Sequence, residues 1–126
     1  MSIPSDVVAV VDDNVYVLGG LERVLSSYGY RVYTFTSAEL YLESTDASEA
    51  SCAVIDIDLR GAISGLDLGR AISSSGSAIP IIFMSGSSHT EVRKQALDVG
   101  CVAFLGKPFP SELLITAILK SSALDS

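Results

Sequence analysis

Five short runs along the chain are rich in apolar and β-branched residues: Val7–Val11, Arg31–Phe35, Cys52–Ile57, Ile79–Met84 and Val102–Leu105. Three of them are nearly continuous apolar stretches, which suits strands of a parallel sheet covered on both faces. Between them the spacing changes to threes and fours. Val17, Leu18, Leu21, Val24, Leu25 and Tyr28 trace one helix face that Gly29 stops. Thr36-Ser-Ala-Glu39 reads as a capping box for a short helix through Leu42. Leu66, Leu68 and Ile72 mark a third helix closed by the surface run Ser73–Ser77, and Glu91–Val99 forms a fourth that ends at Gly100. A fifth follows Pro110 and carries Leu113, Leu114, Ala117, Ile118 and Leu119. Strands alternating with helices predict one three-layer α/β domain over residues 1–126, its core between 7 and 124, with right-handed crossovers.

In such open sheets the ligand site lies beyond the carboxyl ends of the strands. The first strand runs into Asp12-Asp13-Asn14, the third into Asp56-Ile-Asp58, the fourth into Ser85-Gly86 and the fifth into Lys107-Pro108. One polar strand end is ordinary, but four on one rim would gather carboxylates, a hydroxyl and an ammonium in one shallow pocket. Carboxylates in contact repel unless a cation neutralises them, and hard oxygen donors select Mg²⁺ or Mn²⁺. A carboxylate can itself be the nucleophile toward a phosphoryl group, whose charge then calls for cationic and hydroxyl donors. Lys107 and Ser85 are of those types.

Charge narrows the partners. The net charge is -7 and the eight basic residues are scattered, so no phosphate-binding surface for nucleic acid or anionic membrane is expected. No apolar run reaches the roughly 18–20 residues that span a bilayer, and the N-terminus lacks the basic flank of a signal peptide. Cys52 and Cys101 show no C-x-x-C spacing and are expected as reduced, buried small residues. A cytoplasmic location follows from these features. His89 is the only histidine and is expected in a solvated loop, so no Cys/His metal or catalytic pair can be assembled.

The order Asp12-Asp13, Asp56, Ser85, Lys107-Pro108 resembles the receiver domain of bacterial two-component response regulators, from Val7 to Leu124. The segments Val8-Ala-Val-Val-Asp-Asp13, Pro80-Ile-Ile-Phe-Met-Ser-Gly86 and Ala103-Phe-Leu-Gly-Lys-Pro-Phe109 are similar to receivers that precede helix-turn-helix transcription factors. The resemblance implies a flavodoxin-like sheet of strand order 2-1-3-4-5 and a switch driven by phosphorylation. It makes Asp56 the phosphoacceptor, with Mg²⁺ (or Mn²⁺) held by Asp13, Asp56 and the backbone carbonyl of Asp58, and Asp12 acting mainly through metal-bound water. It has Ser85 bond the attached phosphoryl group, Lys107 pair with Asp56 or that group, and Phe104 serve as the aromatic switch residue. Phe104 also has an ordinary reading as a core or interface aromatic. The implied partners are a sensor histidine kinase or phosphotransfer protein, a second copy through the face of helix four, strand five and helix five, and a C-terminal output domain beyond this chain.

Two departures stand out. The loop after Asp56 reads Asp-Leu-Arg-Gly-Ala-Ile-Ser-Gly65, one residue longer than the usual turn, with Arg60 where the family has proline and with Gly61 and Gly65 supplying flexibility. Asp58 replaces a neutral or basic side chain and is expected at a solvent-facing rim, where its charge would strengthen cation binding. Two rival readings remain at this point. A degenerate receiver would act as a phosphorylation-independent interaction module. An aspartyl-phosphate phosphatase of the haloacid-dehalogenase type would use the same chemistry, but there the acidic metal pair follows the nucleophile, whereas here it precedes it.

Overall fold

The apolar runs form five parallel strands, and their lack of alternation has a direct cause. Every residue of Val7–Val11 (β1), Cys52–Asp56 (β3) and Ile81–Ser85 (β4) is buried, so both faces of each strand select apolar side chains. A computed structural model describes residues 6–86 and 90–124. Around these strands it places α1 (Val15–Ser27), β2 (Arg31–Phe35), α2 (Ala38–Glu43), α3 (Gly65–Ser74), α4 (Thr90–Val99), β5 (Ala103–Gly106) and α5 (Ser111–Leu124). The sheet order is β2-β1-β3-β4-β5, as expected for a flavodoxin-like three-layer domain.

Alternate residues of each strand feed two separate cores. Ala9, Val11, Ala53, Ile55, Ile81 and Phe83 pack with α2, α3 and α4 on one face. Val8, Val10, Val54, Ile82 and Met84 pack with Leu18 and Leu25 of α1 and Leu114, Ile115 and Ile118 of α5 on the other. The register aligns Val11 with Ile55, Asp56 with Met84 and Ser85 with Gly106. The four polar strand ends therefore share one rim, beside the point where β1 separates β2 from β3.

Several boundaries differ from the sequence reading. β3 ends at Asp56, and Ile57 lies beyond it. β4 starts at Ile81 rather than Ile79, because the Ile79 N–H is taken by Ser77 Oγ at 3.2 Å and Pro80 has none to give. β5 starts at Ala103 and runs to Gly106. The cap of α2 is Ser37, whose Oγ accepts from Leu40 N at 3.1 Å, so Thr36 and Glu39 form no capping box. A short 3₁₀ helix at Asp46–Glu49 was not anticipated, and α3 continues through Ser73 and Ser74. Of the apolar residues read onto the last helix, Leu113 and Leu119 are exposed, and Ile115, which was not among them, joins the core. Both cysteines are free, Cys52 buried and Cys101 half-buried. His89 lies outside the described residues.

Candidate functional site

The turn leaving β1 is organised by its own side chains. Asp12 is completely buried and its Oδ1 accepts from Asn14 N at 2.8 Å. Asn14 in turn caps α1, its Oδ1 accepting from Tyr16 N at 2.9 Å and Val17 N at 3.2 Å. Asp12 is thereby fixed beneath the rim and Asp13 is turned outward.

Asp56 closes β3 and is also buried. Its Oδ1 accepts from Asp58 N at 2.9 Å, and its Oδ2 accepts from Lys107 Nζ at 3.0 Å. The same ammonium donates to Asp12 Oδ2 at 2.8 Å, so one cation joins the ends of β1, β3 and β5. Lys107 reaches them from a loop whose bond to Pro108 is cis. Burial pushes the Asp56 carboxyl above its ordinary range. The Asp58 N–H and Lys107 pull against this shift, and the Asp12 charge adds to it. Burial pulls the Lys107 ammonium down, but its bonds to Asp12 and Asp56 and their charges outweigh that, and the net shift is upward. Gly65, expected only to loosen the loop, has a tighter constraint. A Cβ there would lie 2.1 Å from the Asp56 carbonyl oxygen and 2.6 Å from Ile57 Cα, so α3 begins against the backbone at the end of β3.

The outer half of the rim is held by the two residues that depart from the family pattern. Arg60 donates to Asp13 Oδ2 twice, from its backbone N–H at 3.0 Å and from Nε at 3.3 Å. The backbone N–H of Arg60 holds the Asp13 carboxyl below its ordinary value; burial opposes this, and the Arg60 guanidinium and the Lys107 charge add to the lowering. Asp58 is exposed, as expected, but its carboxylate is not idle: Oδ2 accepts from Ser85 Oγ at 3.2 Å and from Gly86 N at 3.0 Å. Neither contact was foreseen. Phe104 is half-buried, packs against the core on the α4 side and lies under the Arg93 guanidinium at 5.6 Å, a cation–π contact.

Asp12, Asp13 and Asp56 each offer one carboxylate oxygen, all within 4.8 Å of one another. An all-oxygen, anionic donor set fits a hard divalent cation. The spread matches Mg²⁺, which takes one or two carboxylates directly and keeps several waters. Asp12 has both oxygens engaged by Asn14 and Lys107, which favours its acting through water. No hydrogen bond among the described residues uses Asp13 Oδ1. The Asp58 side chain stands outside this acidic group, turned toward Ser85 instead.

Comparison with known proteins identifies the family. Residues 8–119 match the model of the response regulator receiver domain. Response regulator protein TodT of Pseudomonas putida is 36% identical over 118 residues, covering 94% of this chain and 52% of that protein. Transcriptional regulatory protein FixJ of Bradyrhizobium diazoefficiens is 30% identical over 113 residues, covering 90% and 54%. The chain thus spans about half the length of the curated relatives it matches. A CheY-like receiver domain from Methanospirillum hungatei superposes with a TM-score of 0.87 at 22% identity, covering 97% of this chain and 98% of that one, a likeness of fold. With its strand order, its acidic rim and the match over 8–119, the chain belongs to the response regulator receiver domain family of two-component systems.

Proposed function

We propose that this domain is a phosphorylation-dependent switch in which Asp56 accepts a phosphoryl group from a sensor histidine kinase or phosphotransfer protein. The observation that carries the reading is the single ammonium of Lys107 set 3.0 Å from Asp56 and 2.8 Å from Asp12, beside a third carboxylate. That geometry sets a cation against a buried carboxylate, opposing the effect of burial on it, where phosphoryl charge would arrive.

In the proposed step an Asp56 carboxylate oxygen forms the O–P bond while the P–N bond of the donor phosphohistidine breaks, its electron pair returning to the imidazole. Mg²⁺, which receivers of this family use, would supply charge neutralisation of the phosphoryl oxygens. Asp13, Asp56 and the Asp58 carbonyl would hold it, with Asp12 acting through water. The Asp58 N–H orients the acceptor carboxylate, Lys107 stabilises the added charge, and the Ser85 hydroxyl turns to the phosphoryl group. Phe104 repacks as Ser85 moves, changing the face of α4, β5 and α5; Leu97 of α4 and Leu113 and Leu119 of α5 are exposed. That face would meet an output module or a second copy of the domain. Relatives about twice as long that are named as response and transcriptional regulators support the former. The domain would catalyse only its own phosphorylation and dephosphorylation. The exchange would take place in the cytoplasm, where two-component receivers meet their kinases. No described helix is long and apolar enough to cross a membrane.

Incubation with acetyl phosphate and Mg²⁺ is expected to give stoichiometric labelling that alkali and hydroxylamine remove and that Asp56→Asn abolishes. Labelling of the variant at the normal stoichiometry would remove Asp56 as the acceptor.

A further inference from the structure

We infer that Asp58 is a positioning residue that restrains the resting state by holding Ser85 and Gly86 away from the acceptor; this rests on the receiver reading above. Asp58 sits between the two halves of the switch. Its N–H is bonded to Asp56 Oδ1 at 2.9 Å, while its Oδ2 receives Ser85 Oγ at 3.2 Å and Gly86 N at 3.0 Å. An ionised carboxylate can only accept, so in this contact the hydroxyl of Ser85 is the donor. A hydroxyl has one proton. Ser85 therefore cannot donate to Asp58 and to a phosphoryl oxygen on Asp56 at the same time, and the switch requires one bond to be given up for the other. The Gly86 N–H, which begins the segment leading from β4 to α4, is tied to the same oxygen and must be released with it.

Charge acts in the same sense. A phosphoryl group on Asp56 places negative charge near the Asp58 carboxylate, whose bonds to Ser85 and Gly86 hold it at the rim. The result is a resting state stabilised by two charge-assisted hydrogen bonds that the activated state lacks. Removing them shifts the equilibrium toward the activated arrangement without adding any contact to it.

Beryllofluoride with Mg²⁺, at a Mg²⁺ level saturating for each variant, stands in for the phosphoryl group and its affinity reads the cost of leaving the resting state. Asp58→Ala is expected to bind it about ten-fold more tightly than the wild type, the scale of one charge-assisted hydrogen bond. Asp58→Asn keeps an acceptor oxygen but loses the charge, and should gain about three-fold or less. In a Ser85→Ala background the gain from Asp58→Ala should shrink to about three-fold or less, because only the Gly86 bond is left to release. In ¹⁵N-resolved NMR of the resting protein, the Gly86 amide proton should move upfield in Asp58→Ala and stay near its wild-type position in Asp58→Asn. Equal gains for Ala and Asn that persist in the Ser85→Ala background would overturn the restraint in favour of simple charge repulsion. No gain in Asp58→Ala would also overturn it. Failure of the wild type itself to bind beryllofluoride with Mg²⁺ would instead remove the phosphorylation-dependent switch proposed above, and this inference with it.

Discussion

The rim carries two ion-paired groups made from the same kinds of residue, and they differ in almost everything else. The inner one, Lys107 with Asp12 and Asp56, joins three strand ends, and its two carboxylates are buried. The outer one, Arg60 with Asp13, has a guanidinium side chain that is 90% exposed. Desolvation makes the inner group expensive to break, since losing one partner strands charge where water cannot reach it. Solvent makes the outer group cheap to open. Rigidity is thus placed around Asp56, the proposed acceptor, and the exchangeable contact lies on Asp13, a carboxylate of the acidic group that could hold a cation.

The inner half should respond most strongly to substitution, and most of all where backbone meets backbone. Gly65→Ala would force a Cβ to within 2.1 Å of the Asp56 carbonyl oxygen, and neither α3 nor β3 can move without disturbing the core. A loss of about 3 kcal/mol or more is expected in urea unfolding. A loss under about 1 kcal/mol would mean that α3 can slide away from β3 and that the inner half is not rigid.

Lys107→Ala comes next. It leaves Asp12 and Asp56 facing each other with no cation between them, and without divalent metal should cost about 2 kcal/mol at neutral pH. That is below the ~3–5 kcal/mol of a fully enclosed pair, because the lysine side chain is 25% exposed. The pH dependence has a definite sign. Loss of the ammonium raises the Asp56 carboxyl further above its unfolded value of 3.8, so the native state binds that proton more tightly than the unfolded chain does. Acidification from neutral pH through the raised value then stabilises the variant and narrows its deficit. At the alkaline end the wild type keeps the lysine contribution fully below 10.5 and loses it as pH rises through the elevated native value above that. The deficit should be widest between these limits. A deficit independent of pH would show that the ammonium does not control Asp56.

The inner group was largely readable in the sequence, because it follows from topology. Once Asp12, Asp56 and Lys107 end strands of one parallel sheet, chain order alone sends them to a common rim. The outer contacts depend on side chains that reach across loops: Arg60 and Asp13 lie 47 residues apart, Asp58 and Ser85 27. One clue was present. Arg60 stands where the family has proline, and proline lacks the backbone N–H that Arg60 gives to Asp13 at 3.0 Å. The departure first read as a change of loop geometry is also the gain of a donor. The helix and strand ends that moved, at Ser37 and Ile81, did so because single hydrogen bonds decide boundaries that periodicity leaves open.

Arg60→Ala tests the outer half and should have the smallest effect. It removes only the Nε contact and leaves the backbone N–H on Asp13 Oδ2. Folding stability should scarcely change, since exposed pairs contribute little. Mg²⁺ affinity should nonetheless rise, because the guanidinium and the cation are drawn to the same carboxylate. The gain should be about three-fold or less at low ionic strength, and should fade at about 0.5 M salt as screening removes the competition. Isothermal titration with Mg²⁺ at two salt concentrations measures both. A large gain that salt does not touch would mean Arg60 blocks the site sterically. A loss of affinity would mean that the arginine positions Asp13 for the metal rather than competing for it, and the two halves of the rim would then be one rigid unit.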